Sequence, residues 1–335
     1  MSQSEFEIIR RYFEKTDLSF PKTGVELAIG DDAALLNIPR GRLLCISLDI
    51  LVADIHFPVS ADPEKIANRA LAVNLSDLAA MGAEPLCFTL GLVIPENNPR
   101  WLERFSAGLV SQAQHFNCPL VGGDITRGPL SIAIQVHGLN APGSVIRRGG
   151  ARPGDRIYVT GCLGDGSIAL ASIGVKSHLK EPLWVIEENL VETCKAYFDA
   201  AYYYPQPRVT LALRSCHLVS SGIDISDGLL GDLGHITEAS KVGAELDTHL
   251  FPYSESAICC TRDETRLRAA LFGGDDYELC LTVPDKHVGE FERLAVELDT
   301  RVTCIGKIVP GNTVECHDQK GELLKIEEHA YEHFL

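Results

Sequence analysis

The sequence predicts a mixed α/β (α+β) fold made of two domains, and three observations support this. The chain has 335 residues, about twice the length of a typical domain. Apolar segments with the composition of strands alternate with segments of helical periodicity. Residues 140–155 concentrate glycine, proline and arginine, and a new apolar segment follows them. We therefore place the boundary there, with an N-terminal domain over residues 1–142 and a C-terminal domain over residues 143–335.

Strands are expected where aliphatic residues are concentrated in short runs bounded by turn residues. Several of these runs are separated by helical patterns, so the predicted elements follow one another in a βα order. The runs are residues 43–48, 86–94, 131–139, 156–159, 277–283 and 301–305.

A helix is predicted from about residue 63 to residue 81. Asp62 followed by Pro63 is typical of a helix N-cap and first turn, and Gly82 stands where a helix often ends on glycine. Asn74 and Asp77 interrupt the apolar face of this helix. Burying an ionised carboxylate is costly unless it is paired or bound to a metal, so Asp77 is a candidate functional residue.

Composition excludes several classes of function. The chain has 30 Lys and Arg against 46 Asp and Glu, a net charge of −16, and such a surface repels phosphate backbones and anionic lipids. We therefore expect no binding of nucleic acid or membranes. No apolar run reaches the roughly 18 residues of a membrane span, and the acidic N-terminus lacks the features of a secretory leader. Eleven cysteines without a CxxC spacing indicate reduced thiols, so we expect a cytoplasmic protein.

Aspartates recur beside glycine or at the ends of strand-like runs. One such motif alone is usually a turn, but nine aspartates in six places form a pattern. Several directly follow apolar runs, so crevices at strand ends are available to collect their side chains. The motifs are Asp31 and Asp32 after Gly30, Asp49 after Ser47 and Leu48, Asp124 after Gly122 and Gly123, Asp224 and Asp227 around Ser226, Asp275 and Asp276 after Gly274, and Asp77.

Converging carboxylates would need cations to neutralise their repulsion. An all-oxygen donor set favours Mg²⁺, Mn²⁺ or Ca²⁺, and Mg²⁺ typically completes its shell with water and substrate phosphates. The natural ligand is therefore phosphorylated. Arg127, Arg147 and Arg148 could bind its phosphates, although Arg147 and Arg148 could equally be solvated linker residues.

Several common catalytic motifs are absent from the sequence. It has no GxxxxGK[ST] phosphate loop, no HRD or DFG motif of protein kinases, and no GxSxG nucleophile elbow. Residues 329–333 match the inverted zinc pattern HxxEH, but no third ligand follows in the sequence. We interpret that match as coincidental, in a C-terminal segment that folds back over the body of the protein.

Seven sequence blocks occur in order along nearly the whole chain: GDDAALL (30–36), DILVADIHF (49–57), ALAVNLSDLAAMGAEP (70–85), LVGGDITRGPLS (120–131), GIDISDGLLGDLGHI (222–236), GGDDYELC (273–280) and YEHF (331–334). Together they resemble the thiamine-monophosphate kinase family. Some blocks are shared in part with relatives in the same ATP-binding superfamily, such as aminoimidazole ribonucleotide synthetase and selenophosphate synthetase. The combination of DIHF, GGDDYEL and YEHF distinguishes the thiamine enzyme.

The resemblance implies an aminoimidazole ribonucleotide synthetase-like fold. Its N-terminal strands would form a β-barrel across a homodimer, and its C-terminal domain would cover the active-site cleft. The implied reaction is ATP-dependent phosphorylation of thiamine monophosphate to thiamine diphosphate, by direct γ-phosphoryl transfer with several Mg²⁺ ions and no covalent nucleophile. Such a transfer depends mainly on positioning and charge neutralisation. A phosphate acceptor also needs no strong base.

The resemblance also implies roles for individual residues. Metal ligands would be Asp31, Asp32, Ser47, Asp49, Asp77, Asp124, Asp224 and Asp227. ATP would be contacted by Gly123, Asp124, Arg148 and Ser226, and the acceptor by His56, Asp275 and Tyr331.

The sequence departs from the family pattern at three positions. Leu48 and Ile125 stand where threonine is usual, and Asp275 replaces a glutamate. Two alternatives therefore stay open: a sister enzyme that phosphorylates another acceptor, and a non-catalytic nucleotide-binding homologue. The intact set of carboxylates argues against the second.

Overall fold

The structure is a computed structural model that describes residues 4–14, 17–173 and 192–324. The chain forms two compact units. The first comprises Met1–Leu78 and Ala83–Gly143, and the second comprises Ala79–Gly82 and Ser144–Leu335. No helix among the described residues is both long and apolar enough to cross a membrane.

The first unit is built on a four-stranded sheet in the order β3-β6-β4-β5. Strands β4 and β5 run parallel and are joined through helix α3, whereas the other neighbours are antiparallel. The elements are α1 (Glu5–Ile8), a π-helix (Ile9–Glu14), β1 (Val25–Leu27), β2 (Leu35–Leu36), β3 (Leu43–Val52), α2 (Pro63–Ala80), β4 (Glu84–Ile94), α3 (Pro99–His115), β5 (Leu120–Arg127) and β6 (Ser131–Asn140).

Side chains of β3 alternate between two environments, as expected for a strand with one covered face. Ser47, Asp49 and Leu51 lie on the face that helix α2 covers. Ile46 and Ile50 lie on the other face and are 51% and 53% exposed. The sheet therefore presents an apolar row on its uncovered side.

Helix α2 confirms the predicted helix to within one residue. The Asp62 carboxylate accepts a hydrogen bond from the Glu64 N–H, and Gly82 adopts a positive φ of 61° just beyond the last turn. Asn74 is completely buried, and its amide donates to the Ala70 carbonyl. The interruption of the apolar face is thus a real feature of the packed helix.

The second unit is built on a six-stranded sheet in the order β12-β9-β11-β7-β10-β8, in which only the β12–β9 pair is parallel. Its core packs aliphatic residues of the strands against helices α7 and α9. The elements are β7 (Arg156–Thr160), α4 (Asp165–Ser172), α5 (Glu192–Tyr203), α6 (Val209–Ser215), β8 (Ser221–Asp224), α7 (Leu229–Ser240), β9 (Gly243–Asp247), α8 (Glu255–Cys260), α9 (Asp263–Phe272), β10 (Leu279–Val283), α10 (Val288–Glu297), β11 (Val302–Val309) and β12 (Val314–His317).

All six predicted strand segments contain a strand of the structure, although β3, β4 and β11 extend beyond the predicted segments. Strand β10 begins at Leu279 rather than at residue 277, because Asp275 and Tyr277 have φ values of +70° and +49°, which a strand does not accommodate. Although the predicted elements follow one another in a βα order, most neighbouring strands in the two sheets are antiparallel. Carboxylates that follow strands therefore do not all meet at one sheet edge.

Candidate active site

One group of predicted residues lies where β3 meets α2. The Ser47 hydroxyl donates to the Asp77 carboxylate at 2.5 Å, and the Asp49 N–H donates to Oδ1 of Asn74 at 3.0 Å. Ser47 and Asp49 share a face because they are two residues apart on a strand, and Asn74 and Asp77 share a face because they are three apart on a helix. The local geometry of both elements therefore concentrates oxygen ligands here.

A second group lines a cavity of about 690 Å³ in the first unit. Asp31, Asp32 and Asp124 line it together with Gly123 and residues of the N-terminal helices. Oδ1 of Asp31 accepts a hydrogen bond from the Asp32 N–H at 2.9 Å, which fixes the turn that carries both. Three predicted metal ligands and two predicted ATP contacts, Gly123 and Asp124, therefore share one cavity.

Glycine at position 123 is required by a close approach of two backbones. A Cβ atom there would lie 2.0 Å from the carbonyl oxygen of Leu90 on the neighbouring strand. Any side chain would push β5 away from β4 at this point. The same lack of a side chain lets a phosphate approach the backbone N–H groups closely.

The two groups lie on strands that are not neighbours in the sheet. Asp49 lies on β3 and Asp124 on β5, and β6 and β4 separate these strands. Three strand spacings correspond to about 14 Å. Among the described residues, no three His, Cys, Asp or Glu side chains lie close enough together to hold a metal ion by themselves.

The donor chemistry nevertheless fits Mg²⁺ at each group. The ligands available are carboxylate and hydroxyl oxygens, exemplified by the hydrogen-bonded pair of Ser47 and Asp77. Mg²⁺ characteristically uses one or two protein carboxylates and fills its other positions with water and phosphate oxygens. A pair of protein oxygens at each group is therefore sufficient.

In the second unit, Asp232 fixes the loop that carries Ser226 and Asp227. Its carboxylate accepts the N–H groups of these two residues at 3.0 and 3.1 Å. Burial raises the pKa of Asp232 to about 7; the negative charge of Asp227 adds to the rise, and Arg148 nearby opposes it. Asp224 lies at the end of β8 and is buried. The structure thus brings Arg148, Ser226 and Asp227 around Asp232.

Arg148 itself is exposed, and its backbone is anchored. The Ser240 hydroxyl donates to the Arg148 carbonyl at 3.3 Å and accepts hydrogen bonds from the N–H groups of Gly150 and Ala151. The guanidinium group is therefore carried on a fixed segment.

The loop around Asp275 packs directly against the Ser226 loop. The Asp275 N–H donates to the Ser226 carbonyl at 2.9 Å. A Cβ atom on Gly274 would lie 1.9 Å from that carbonyl oxygen, so only glycine allows this contact. The Tyr277 hydroxyl donates to the Asp275 carboxylate at 3.3 Å. Asp275 is therefore held in place by both neighbours.

Two further acidic residues, Asp276 and Glu278, hold the same loop through contacts with other segments. The enclosed Asp276 carboxyl group accepts the N–H groups of Gly164 and Gly166, and its burial raises the pKa of this group well above the ordinary value. Glu278 forms a two-pronged ion pair with Arg208, at 2.6 and 2.7 Å. These contacts join the loop to helix α4 and to the segment before α6.

The remaining predicted residues are placed as follows. Nδ1 of His56 accepts the Val52 N–H at 3.0 Å, so His56 also closes its own turn. Leu48 is exposed on the face of β3 opposite Ser47, whereas Ile125 lines the cavity. Arg127 donates to the Pro95 carbonyl. Tyr331 and the HxxEH pattern lie outside the described residues.

Sequence reasoning did not single out Asp232, Glu278 and Arg208, and it listed Asp276 among the recurrent aspartates without its supporting role. A signal for Asp232 was present, because an aspartate in the first turn of a helix that follows a glycine-rich loop often accepts backbone N–H groups. The partners of Asp276 and Glu278 are more than 60 residues distant, and no local pattern reports them.

The raised pKa of Asp232 predicts a pH dependence of stability. The folded state favours the protonated carboxyl group, so the free energy of unfolding of the wild type should fall, relative to Asp232→Asn, as pH rises from 4 to 7. The change should not exceed about 4 kcal/mol. Urea titrations at several pH values, with a chelator present, measure it. Asp285→Asn, which removes an exposed carboxylate paired with Arg156, is the control. A difference that is independent of pH would contradict the prediction.

Comparison with known proteins identifies the family of the chain. The family models "AIR synthase related protein, N-terminal domain" and "AIR synthase related protein, C-terminal domain" match residues 30–140 and 152–319. The chain is 42% identical over 334 residues to the thiamine-monophosphate kinase of Escherichia coli K12, covering 100% of this chain and 99% of that protein.

Two solved structures are similar along most of the chain. The crystal structure of thiamine-monophosphate kinase from Stenotrophomonas maltophilia K279a superimposes with a TM-score of 0.80 at 38% identity, covering 90% of this chain and 93% of that one. AaThiL complexed with AMPPCP and TMP gives a TM-score of 0.73 at 27% identity, covering 92% of each chain. The chain therefore belongs to the thiamine-monophosphate kinase family of AIR synthase related proteins.

Proposed function

We propose that the protein transfers the γ-phosphoryl group of ATP to thiamine monophosphate and so forms thiamine diphosphate. The observation that carries this proposal is the cavity in which Asp31, Asp32, Asp124 and the side-chain-free Gly123 meet. Full-length similarity to a thiamine-monophosphate kinase and to a structure complexed with AMPPCP and TMP supports it. The reaction is assigned to the cytoplasm, which supplies ATP.

The carboxylates hold Mg²⁺ in this proposal. Ser47, Asp49 and Asp77 would bind at the junction of β3 and α2, and Asp31, Asp32 and Asp124 would bind at the cavity. Because the two groups lie on β3 and β5, which are not neighbouring strands, we propose a separate ion at each. Asp224 and Asp227 are the remaining proposed metal ligands. When bound, Mg²⁺ neutralises the charge of the phosphate groups during transfer.

The nucleotide and the acceptor are bound by different residues. Gly123 offers its backbone N–H to the phosphates, and Arg148 and Ser226, whose backbones are held by Ser240 and Asp232, are the other proposed nucleotide contacts. His56, Asp275 and Tyr331 bind thiamine monophosphate. Its phosphate is already ionised at neutral pH, so the transfer requires positioning rather than a base.

Loss of a metal ligand should abolish turnover without unfolding the protein. Asp49→Ala and Asp124→Ala each remove one of several mutually repelling charges, so both variants should stay folded while kcat falls at least 100-fold. Thiamine diphosphate formation is measured by chromatography, with Asp285→Asn as the control. Activity should disappear in EDTA and return with excess Mg²⁺.

The assay also separates the alternatives. A wild-type protein that consumes ATP with another acceptor, but forms no thiamine diphosphate, would identify a sister enzyme. One that binds ATP without turnover would identify a nucleotide-binding homologue. If Asp49→Ala and Asp124→Ala are both insoluble, these aspartates have a structural role instead.

His56 should affect one substrate more than the other. If it binds the acceptor, His56→Ala raises the KM for thiamine monophosphate more than the KM for ATP. Because His56 also closes a turn through Val52, His56→Asn, which can retain that hydrogen bond, is the matched variant. Equal increases in both KM values would contradict the assignment.

We further propose that the protein is a homodimer formed through β3. This strand lies at the edge of its sheet, and its uncovered face carries Leu44, Ile46, Leu48 and Ile50, all at least 41% exposed. A long apolar edge strand is a template for pairing with another strand. A second copy of β3 would cover it.

Charged residues on this face should disrupt the dimer. Leu48→Glu should shift the mass measured by light scattering from that of two chains to that of one. Val296→Glu is the control, because Val296 is an isolated apolar residue on α10 that is 82% exposed. A Leu48→Glu variant with the mass of the wild-type dimer would exclude this face as the interface.

A further inference from the structure

The N-terminal helices form part of the wall of the 690 Å³ cavity. Phe6, Arg10 and Phe13 line it together with the acidic residues Asp31 and Asp124. The cavity therefore combines carboxylates, which repel phosphate unless metal ions are bound, with a guanidinium group, which attracts it.

The π-helix supplies several of the residues that line this cavity. Such helices are rare and are found mostly as short segments at functional sites. Here Arg10 lies in the π-helix and lines the cavity, whereas its neighbour Arg11 stacks over the Tyr12 ring with its guanidinium carbon 5.2 Å from the ring centre. Two adjacent arginines therefore have different environments.

Arg10 is exposed and forms no ion pair with the part of the chain that the structure describes. Other arginines of this unit form ion pairs, such as Arg42 with Glu84 and Arg104 with Asp62. Within residues 4–14, 17–173 and 192–324, the structure pairs no carboxylate with Arg10. Its guanidinium group is available to a ligand in the cavity, and a guanidinium fork matches two oxygens of one phosphate group.

We propose that Arg10 binds a phosphate group of a substrate in this cavity, an inference that rests on the proposed function. The group recognised is a phosphoryl oxyanion, supplied either by the triphosphate of ATP or by thiamine monophosphate. Bound metal ions neutralise the carboxylates on the cavity wall, and Arg10 neutralises further charge on the phosphate. Arg10 is thus a substrate-binding residue on an element that no family motif covers.

Binding and kinetics of the full-length protein test this inference. Arg10→Gln should weaken the binding of AMPPCP with Mg²⁺, or of thiamine monophosphate, by about ten- to a hundredfold in calorimetric titrations. Arg10→Lys keeps the charge but loses the fork, so its loss should be smaller. Arg11→Gln removes the same charge one residue away and should change either affinity less than twofold.

The outcomes identify the source of the phosphate. A weaker affinity and a higher KM for the nucleotide alone assign Arg10 to the triphosphate, and the same effects for thiamine monophosphate alone assign it to the acceptor. Equal losses for Arg10→Gln and Arg11→Gln would overturn the inference, since they would reflect overall charge. So would unchanged affinities for both ligands.

Failure of the proposed function gives a different result. In that case the wild type forms no thiamine diphosphate, whereas the titrations still report on Arg10. If Arg10→Gln lowers the melting temperature, the titrations are made below its unfolding transition and Arg10→Ala is measured beside it. Folded Arg10→Gln and Arg10→Ala proteins that bind both ligands like the wild type would overturn the inference.

Discussion

Mutual repulsion between carboxylates is the constraint that shapes both candidate groups of this protein. The fold holds acidic side chains near one another by giving them uncharged hydrogen-bond donors. The Ser47 hydroxyl donates to Asp77, and the backbone N–H of Asp32 donates to Asp31. Such donors orient a carboxylate without cancelling its charge. The orientation is therefore set before a cation binds, and the attraction for that cation is kept.

The parts of the site that could be predicted are those fixed by local geometry. Helical periodicity placed Asn74 and Asp77 on one buried face, and the structure shows Asn74 enclosed and Asp77 bonded to Ser47. Strand alternation likewise separates Ser47 and Asp49 from Leu48. The loss of a hydroxyl at position 48 is consequently harmless to this group, because Leu48 points away from it. The family resemblance supplied the roles, and periodicity explains why these residues can fill them.

The rest of the candidate site depends on contacts between segments that are far apart in the sequence. No local pattern specifies such contacts. The contact between Gly274 and the Ser226 carbonyl, and the two N–H groups that Asp276 accepts, join segments far apart in sequence. The separation of Asp49 from Asp124 follows from a strand order of β3-β6-β4-β5, which a βα pattern does not reveal. A role for Arg10 could not be predicted for the same reason, since only the packing of the π-helix brings this residue to the cavity.

The position of β3 in the sheet has a consequence during synthesis. This strand ends at Val52, but β6, the neighbour with which it pairs, begins at Ser131. A ribosome must therefore add about 80 residues, which takes several seconds, before β3 can pair within its own chain. Over that interval the nascent chain carries an unpaired apolar strand of ten residues. We expect protection by chaperones at this stage, more than the stability of the finished fold, to set the yield of native protein when translation is fast.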